Sequence, residues 1–440
     1  MTNPHAALFD LLDPAQNRIY NMPVEEARAL VRSGDPAAVR GIDGSFALVA
    51  KDGDTVRLAR TIDRPIRFFL AKRVEGPALF VAERIDQLHA ALVRAGLGDQ
   101  FQPTYSRMVP AHHVLEVSLR GCPDPFPVAK RFFEPARETL PADVSVIAER
   151  YVGRAYQEIV KWVKSVPERE PLGVCFSGGV DSGAVLLFLH HALGELNIPR
   201  QRLKAFTLAV DGGGADLAQA RSFLDQVGLG IYGETIEARA DSLSLERTLA
   251  VLEDYKPLDV HCGAALLALL EGIRARYPKW IHLADGDGGD ENLKDYPIEE
   301  NPELTIRSVL NNSMLYQEGW GVGSLKHSLT YSGGQSRSYV RTWAPARALG
   351  FAGFSPFTLP AVIEVSEAIP FIELTQWSVP ALYALKGQIV GRGVKALTGI
   401  DMPLFEKRRF QDGVVPEKRF PSAFTGNELA YRRSFHAKYQ

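Results

Sequence analysis

The chain of 440 residues is 46% hydrophobic and carries 50 Lys and Arg against 52 Asp and Glu, a net charge of −2. That length and apolar content can bury one large core or two, and with both charges mixed along the chain nothing suggests nucleic-acid binding through a basic surface. No apolar run is long enough to cross a membrane, and Met1-Thr-Asn-Pro-His-Ala6 lacks a basic-then-apolar signal pattern, so the chain reads as soluble and cytoplasmic.

Up to about residue 140 the chain reads as short strands among charged or glycine-bearing turns. Gly44–Ala50, Val56–Ala59, Arg67–Leu70 and Ala78–Ala82 are strand-like, while Pro23–Ser33 and Ile85–Ala95 are helical. Phe132–Asp143, with Pro135 and Pro141, reads as a linker, and a helix over Val144–Val163 follows it. From there the pattern becomes α/β. Leu203–Val210, Gly230–Ile236 and Trp280–Ala284 are expected strands, and Asp216–Val227, Ser244–Asp254 and Ala264–Tyr277 expected helices. Such alternation implies a parallel sheet with ligands at the carboxyl ends of its strands. Beyond Asn301 the chain is mainly helical. Cys122, Cys175 and Cys262 are an odd number, widely spaced, and indicate neither a disulfide scaffold nor a zinc site.

Three stretches carry chemistry. In the first, an apolar strand ends at Phe176, Ser177-Gly178-Gly179-Val180-Asp181-Ser182 forms a small-residue loop, and a helical pattern from Gly183 to Leu193 follows. A strand, a glycine turn and a helix N-terminus make an anion site, because glycine lets backbone N–H groups approach the ligand and the first helical turn has donors to spare. Ser177 and Ser182 add hydroxyls, and Asp181 adds a carboxylate for a metal bound to phosphates. The spacing fits neither a P-loop nor a dinucleotide fingerprint. The second stretch, Asp285-Gly-Asp-Gly-Gly-Asp-Glu-Asn292, follows an expected strand, and its crowded acids would repel one another without a cation. The third, Phe405-Glu-Lys-Arg-Arg-Phe-Gln-Asp-Gly413, sets three successive cations among aromatics, either a surface patch or the positive charge that a phosphate site needs. Lys407 is the lysine chosen for that task, with Lys386 and Lys418 as rivals.

The first loop resembles the Ser-Gly-Gly-x-Asp-Ser pyrophosphate loop of the ATP pyrophosphatase superfamily. The order of all three stretches resembles the synthetase domain of asparagine synthetase and its relative β-lactam synthetase. That domain follows the loop with Gly-Glu-Gly-x-Asp-Glu, here Gly286-Asp-Gly-Gly-Asp-Glu291, and a late Lys before Phe-x-Asp-Gly. Ser355-Pro-Phe-Thr-Leu-Pro360 resembles the family's Pro-Phe-Leu-Asp. Gly44-Ser-Phe-Ala-Leu48 and Leu58-Ala-Arg-Thr-Ile-Asp-Arg-Pro65 are similar to segments of its glutaminase domain. The resemblance implies two domains: a degenerate glutaminase-like domain over 1–140 and an ATP-binding synthetase domain over 141–440. The implied fold class is α/β, with an Ntn-hydrolase-like α+β domain before a parallel α/β sheet whose C-terminal part is helical.

The chain departs from the family twice. Residue 2 is Thr2 where the glutaminase has its cysteine, and the Arg-Gly-Pro-Asp stretch is missing, so the first domain is expected to lack glutaminase activity. The position between the two glycines is Asp287, where asparagine synthetase has Glu and β-lactam synthetase has Tyr, so a different substrate is implied. By this resemblance, ATP and Mg2+ are the cofactors. Ser177, Gly178, Gly179, Asp181, Ser182 and Gly286 bind the nucleotide, and Asp181 and Asp290 hold the metal. Asp287 and Lys407 are catalytic, with Glu318 as the acidic partner of Asp287. The partners are a small carboxylate and an amine or ammonia, joined as an amide or lactam with release of AMP and pyrophosphate; a homo-oligomer stays open. Asp259 and His261 are candidate substrate contacts. The rival reading is an adenylating sulfur-transfer enzyme of the same superfamily working through Cys262.

Overall fold

The computed structural model describes residues 6–120, 127–296, 298–299, 305–311, 341–405 and 424–440. They group into two compact units, one holding residues up to Glu134 and from Arg432 onward, the other running from Pro135 to Tyr431. No helix among the described residues is long and apolar enough to cross a membrane.

In chain order, the first unit contains β1 (Ala7–Asp10), β2 (Arg18–Ile19), α1 (Val24–Ser33), α2 (Pro36–Arg40), β3 (Gly44–Ser45), β4 (Ala47–Asp52), β5 (Thr55–Arg60), β6 (Arg67–Lys72), β7 (Pro77–Ala82), α3 (Ile85–Arg94), β8 (Arg107–Met108), β9 (His113–Ser118) and β10 (Val128–Arg131). Two four-stranded sheets form, in the orders β10-β9-β5-β4 and β1-β7-β6-β8, and β2 pairs with β3 in a short ribbon. Alternation along the strands sends Val49, Val56, Leu58, Leu115 and Val117 of one sheet into the same core as Phe68, Leu79 and Val81 of the other. The sheets therefore pack face to face. Helix α1 packs on β4 and β5, and α3 on β6 and β7, each through its apolar stripe. This unit also buries charge. Arg64 pairs with Glu83 at 2.6 Å, and burial, then the neighbouring Arg67, push Arg60 down to about 9.

The second unit opens with α4 (Val144–Ser165), capped by the Asp143 carboxylate on the N–H groups of Ser145 and Val146. It continues through β11 (Leu172–Cys175), α5 (Val180–Glu195), β12 (Leu203–Val210), α6 (Ala215–Gln226), β13 (Gly233–Ala238), α7 (Leu245–Leu252), α8 (Pro257–Arg276), β14 (His282–Ala284) and α9 (Gly289–Asn292). After α10 (Ile306–Asn311) come α11 (Trp343–Ala348), β15 (Ala352–Phe354), α12 (Pro360–Glu367), α13 (Phe371–Thr375) and α14 (Val379–Thr398). The five strands form one parallel sheet in the order β13-β12-β11-β14-β15. The chain builds outward from β11 through β12 to β13, then returns to β11's other side with β14. That reversal puts a switch point between β11 and β14, and the loops leaving their carboxyl ends diverge around a crevice where ligands bind.

Some boundaries differ from expectation. Helix α8 opens at Pro257, well before Ala264, because a proline in the first turn lacks only an N–H that has no helical partner there. Gly230–Tyr232 form a tight turn and the strand starts at Gly233. The Trp280 indole Nε1 donates to the His282 carbonyl at 3.0 Å, and β14 begins only at His282. The stretch expected as a linker starts with Phe132 and Phe133, both buried.

Candidate functional site

The loop between β11 and α5 is shaped by one backbone conformation. Gly178 has φ +74°, and a Cβ there would lie 2.8 Å from the backbone N and Cα of Ala220 on α6. Only glycine serves at such a point. Gly179 then caps α5, donating its N–H to Ser177 Oγ at 3.3 Å, while the Ser177 and Ser182 hydroxyls lie 3.2 Å apart. The N–H groups of Val180, Asp181 and Ser182 fall in the first helical turn, where donors have no partner in the helix and the helix dipole is positive. Such an end holds phosphate.

The acid-rich loop follows β14 on the other side of the switch point. Asp287 N–H donates to Asp285 Oδ1 at 3.0 Å, and Gly288 turns the chain at φ +93° into α9, which carries Asp290. The loop packs directly on the first turn of α5. A Cβ on Gly286 would lie 2.8 Å from Asp181 Cβ, and one on Gly289 would run into Asp181 Oδ1. The two glycines permit the approach that brings Asp181 and Asp290 together.

Lys386 of α14 stands between them. Its Nζ lies 2.5 Å from Asp181 Oδ2, also bonds Asp290 Oδ1, and is 3.5 Å from Asp295 Oδ2. Burial alone would lower the lysine's pKa, but the carboxylates of Asp181, Asp290 and Asp295 overcome it and hold it well above the ordinary value. A shared Nζ places the Asp181 and Asp290 oxygens no more than about 5 Å apart. Among the described residues no group of three or more His, Cys, Asp or Glu could hold a metal. The hard carboxylate oxygens of Asp181 and Asp290 are of the kind that could hold Mg2+, which keeps few protein ligands when phosphates complete its shell.

Asp287 sits at the edge of this cluster. Its Oδ2 accepts the Thr342 N–H at 2.9 Å, and its backbone carbonyl accepts the Ser355 hydroxyl at 2.7 Å. Burial raises its pKa, the Thr342 N–H and the Arg341 guanidinium oppose the rise, and Asp290 adds to it. Arg341 is itself tied to Asp259 of α8, Nε to Oδ1 at 2.8 Å.

The structure thus brings Ser177, Gly178, Gly179, Asp181, Ser182, Gly286, Asp287 and Asp290 to one side of the sheet. It adds Lys386, Asp295, Arg341 and Thr342, none of which the sequence reading placed there. Lys386 had entered only as a rival for another lysine's role, because one cation inside a long helical pattern does not announce which carboxylates it will meet. Asp259 faces Arg341, whereas His261 Nε2 contacts the Phe424 carbonyl at 2.9 Å. Cys262 is buried in α8 and Cys175 at the end of β11. Lys407, Glu318, Lys418, Thr2 and Cys122 lie outside the described residues.

Residues 161–348 match the family model described as asparagine synthase. No curated protein matches the chain.

Proposed function

We propose that this chain, whose residues 161–348 match the family model described as asparagine synthase, is an ATP-dependent carbon–nitrogen ligase that adenylates a small carboxylate and passes the acyl group to an amine. The observation that carries this reading is the convergence of Asp181 and Asp290 on Lys386 beside the first turn of α5.

The pyrophosphate part of ATP lies on the first-turn N–H groups of α5 and the hydroxyls of Ser177 and Ser182. Asp181 and Asp290 would hold Mg2+, which would supply charge neutralisation to the phosphates. A substrate carboxylate attacks the α-phosphorus, the bond to the β-phosphate oxygen breaks, and pyrophosphate leaves with its charge countered by Lys386. In the second step the amine attacks the acyl carbon. Asp287 takes the amine proton, and AMP departs as the carbon–oxygen bond breaks. Lys407 stabilises the charge on the tetrahedral intermediate. The products are an amide or lactam, AMP and pyrophosphate, and free ammonia or a substrate amine is the nitrogen source.

The test is carboxylate-dependent exchange of labelled pyrophosphate into ATP, screened over a panel of carboxylic acids. Wild type should support exchange with at least one acid. Asp181→Asn and Asp290→Asn should each abolish it while the far-UV spectrum stays native. Exchange that persists at wild-type rate in both variants would remove the metal-holding role and the reading built on it.

A further inference from the structure

We propose that Arg341, tethered by Asp259, is a positioning residue for the acyl-transfer step, holding Asp287 in the orientation in which it accepts a proton. The proposal rests on the reading of Asp287 as the base. Two contacts place Arg341 in that role. Its Nε bonds Asp259 Oδ1 at 2.8 Å, across 82 residues of sequence. The next residue, Thr342, gives its backbone N–H to Asp287 Oδ2 at 2.9 Å. Adjacent residues thus grip a carboxylate on α8 and the Asp287 carboxylate, so the ion pair fixes where the Thr342 donor points.

The surroundings leave Asp259 free to serve as the tether. Asp254, an acidic neighbour of Asp259, is buried, and its Oδ1 accepts the N–H groups of Tyr255 and Lys256 at 2.6 and 3.0 Å. Burial and then the Asp259 charge push Asp254 up to about 8, and its Oδ1 is engaged by those two backbone donors rather than by the guanidinium. A bond to a planar guanidinium also fixes direction in a way that an ammonium does not. Lys386, by contrast, belongs to the phosphate side of the cluster. The two cations therefore divide the reaction, Lys386 serving adenylation and Arg341 the transfer that follows.

That division is measurable, because pyrophosphate exchange reports adenylation alone and product formation reports both steps. Arg341→Met should leave exchange within about threefold of wild type while product formation falls about 10²-fold, the usual scale for losing one preorganised contact. Arg341→Lys should recover at least a tenth of the lost rate, since it keeps a charge on Asp259. Arg341→Met strands the Asp259 carboxylate, so the double variant Asp259→Asn/Arg341→Met, which removes that stranded charge, guards against a folding defect and should show the same split. Equal loss of exchange and product in both variants would assign Arg341 a structural role only, and wild-type product formation would deny it any role. Asp287→Asn, measured alongside, separates the two levels. If it forms product at the wild-type rate, the reading of Asp287 fails and takes this proposal with it. If it is inactive in transfer while the Arg341 variants are not, only the proposal about Arg341 falls.

Discussion

Lys386 is the residue whose surroundings say most about its own worth. It lies among three carboxylates, its side chain only 5% exposed, and removing one member of a buried ionic cluster typically costs about 3–5 kcal/mol because the remaining charges stay unpaired. Asp290 keeps a side-chain exposure of 40%, which puts the expected cost at the low end, about 3 kcal/mol. Lys386→Met should therefore unfold at lower urea in magnesium-free buffer and regain part of the loss when Mg2+ is added. The sign with pH follows. Without the ammonium, the clustered carboxylates repel one another, a penalty that protonation relieves. The deficit is then smallest at low pH, where they are protonated in both states, and grows as pH rises. Turnover should fall about 10²–10³-fold. A variant equally stable with and without Mg2+, at every pH from 4 to about 8, would show that Lys386 does not stand in for a cation.

At the scale of the element, the loop before α5 makes the sharper demand. Gly178 and Gly212 both have positive φ, +74° and +91°, but a Cβ meets nothing within 4 Å at Gly212 and meets the Ala220 backbone at Gly178. Alanine at either position carries left-handed strain of about 1–2 kcal/mol, and only Gly178→Ala adds a clash with backbone that cannot swing aside. Urea unfolding should rank Gly178→Ala below Gly212→Ala by at least about 1 kcal/mol, with nucleotide affinity reduced only in the former. Equal costs would mean that the α6 contact is soft. This loop was legible in the sequence because its punctuation is local: an apolar run, small residues, then a helical pattern. Strand β12 was legible for the same reason and spans Leu203–Val210 as expected. Strands β1, β2, β8, β9 and β10 were not. They are two to six residues long and owe their existence to partners elsewhere, as when Phe9 of β1 registers with Phe80 of β7. The Asp259–Arg341 tether is invisible on the same grounds, since nothing near either residue names the other.

For the whole molecule, the order β13-β12-β11-β14-β15 explains why Asp181 and Asp290, 109 residues apart in sequence, meet, since β11 and β14 are neighbours in the sheet. That relation was implicit in the alternation of strands and helices; the identity of the lysine at the meeting point was not. The source of nitrogen is also a property of the whole chain. The first 121 residues contain no cysteine, and an amidotransferase that splits glutamine with a thiolate needs one. With ATP and the carboxylate present, labelled glutamine should release no glutamate, whereas ammonium or an amine should drive product formation. Glutamate released one-for-one with AMP would overturn this.

Helix α5, which begins at the phosphate loop, has every residue from Ser182 to Leu189 buried, enclosed by the sheet, α4 and α14. Over those turns the helix has no solvent face and so no position that can take a charged side chain cheaply. The consequence concerns how genetic data on this protein are to be read. In a saturation screen, the inner turns of α5 will look as intolerant as Asp181 itself, though they touch no substrate. Intolerance there reports the price of repacking a core. Only substitutions that spare abundance and abolish turnover carry information about the chemistry, and they are to be sought on the first turn and on the loops facing it.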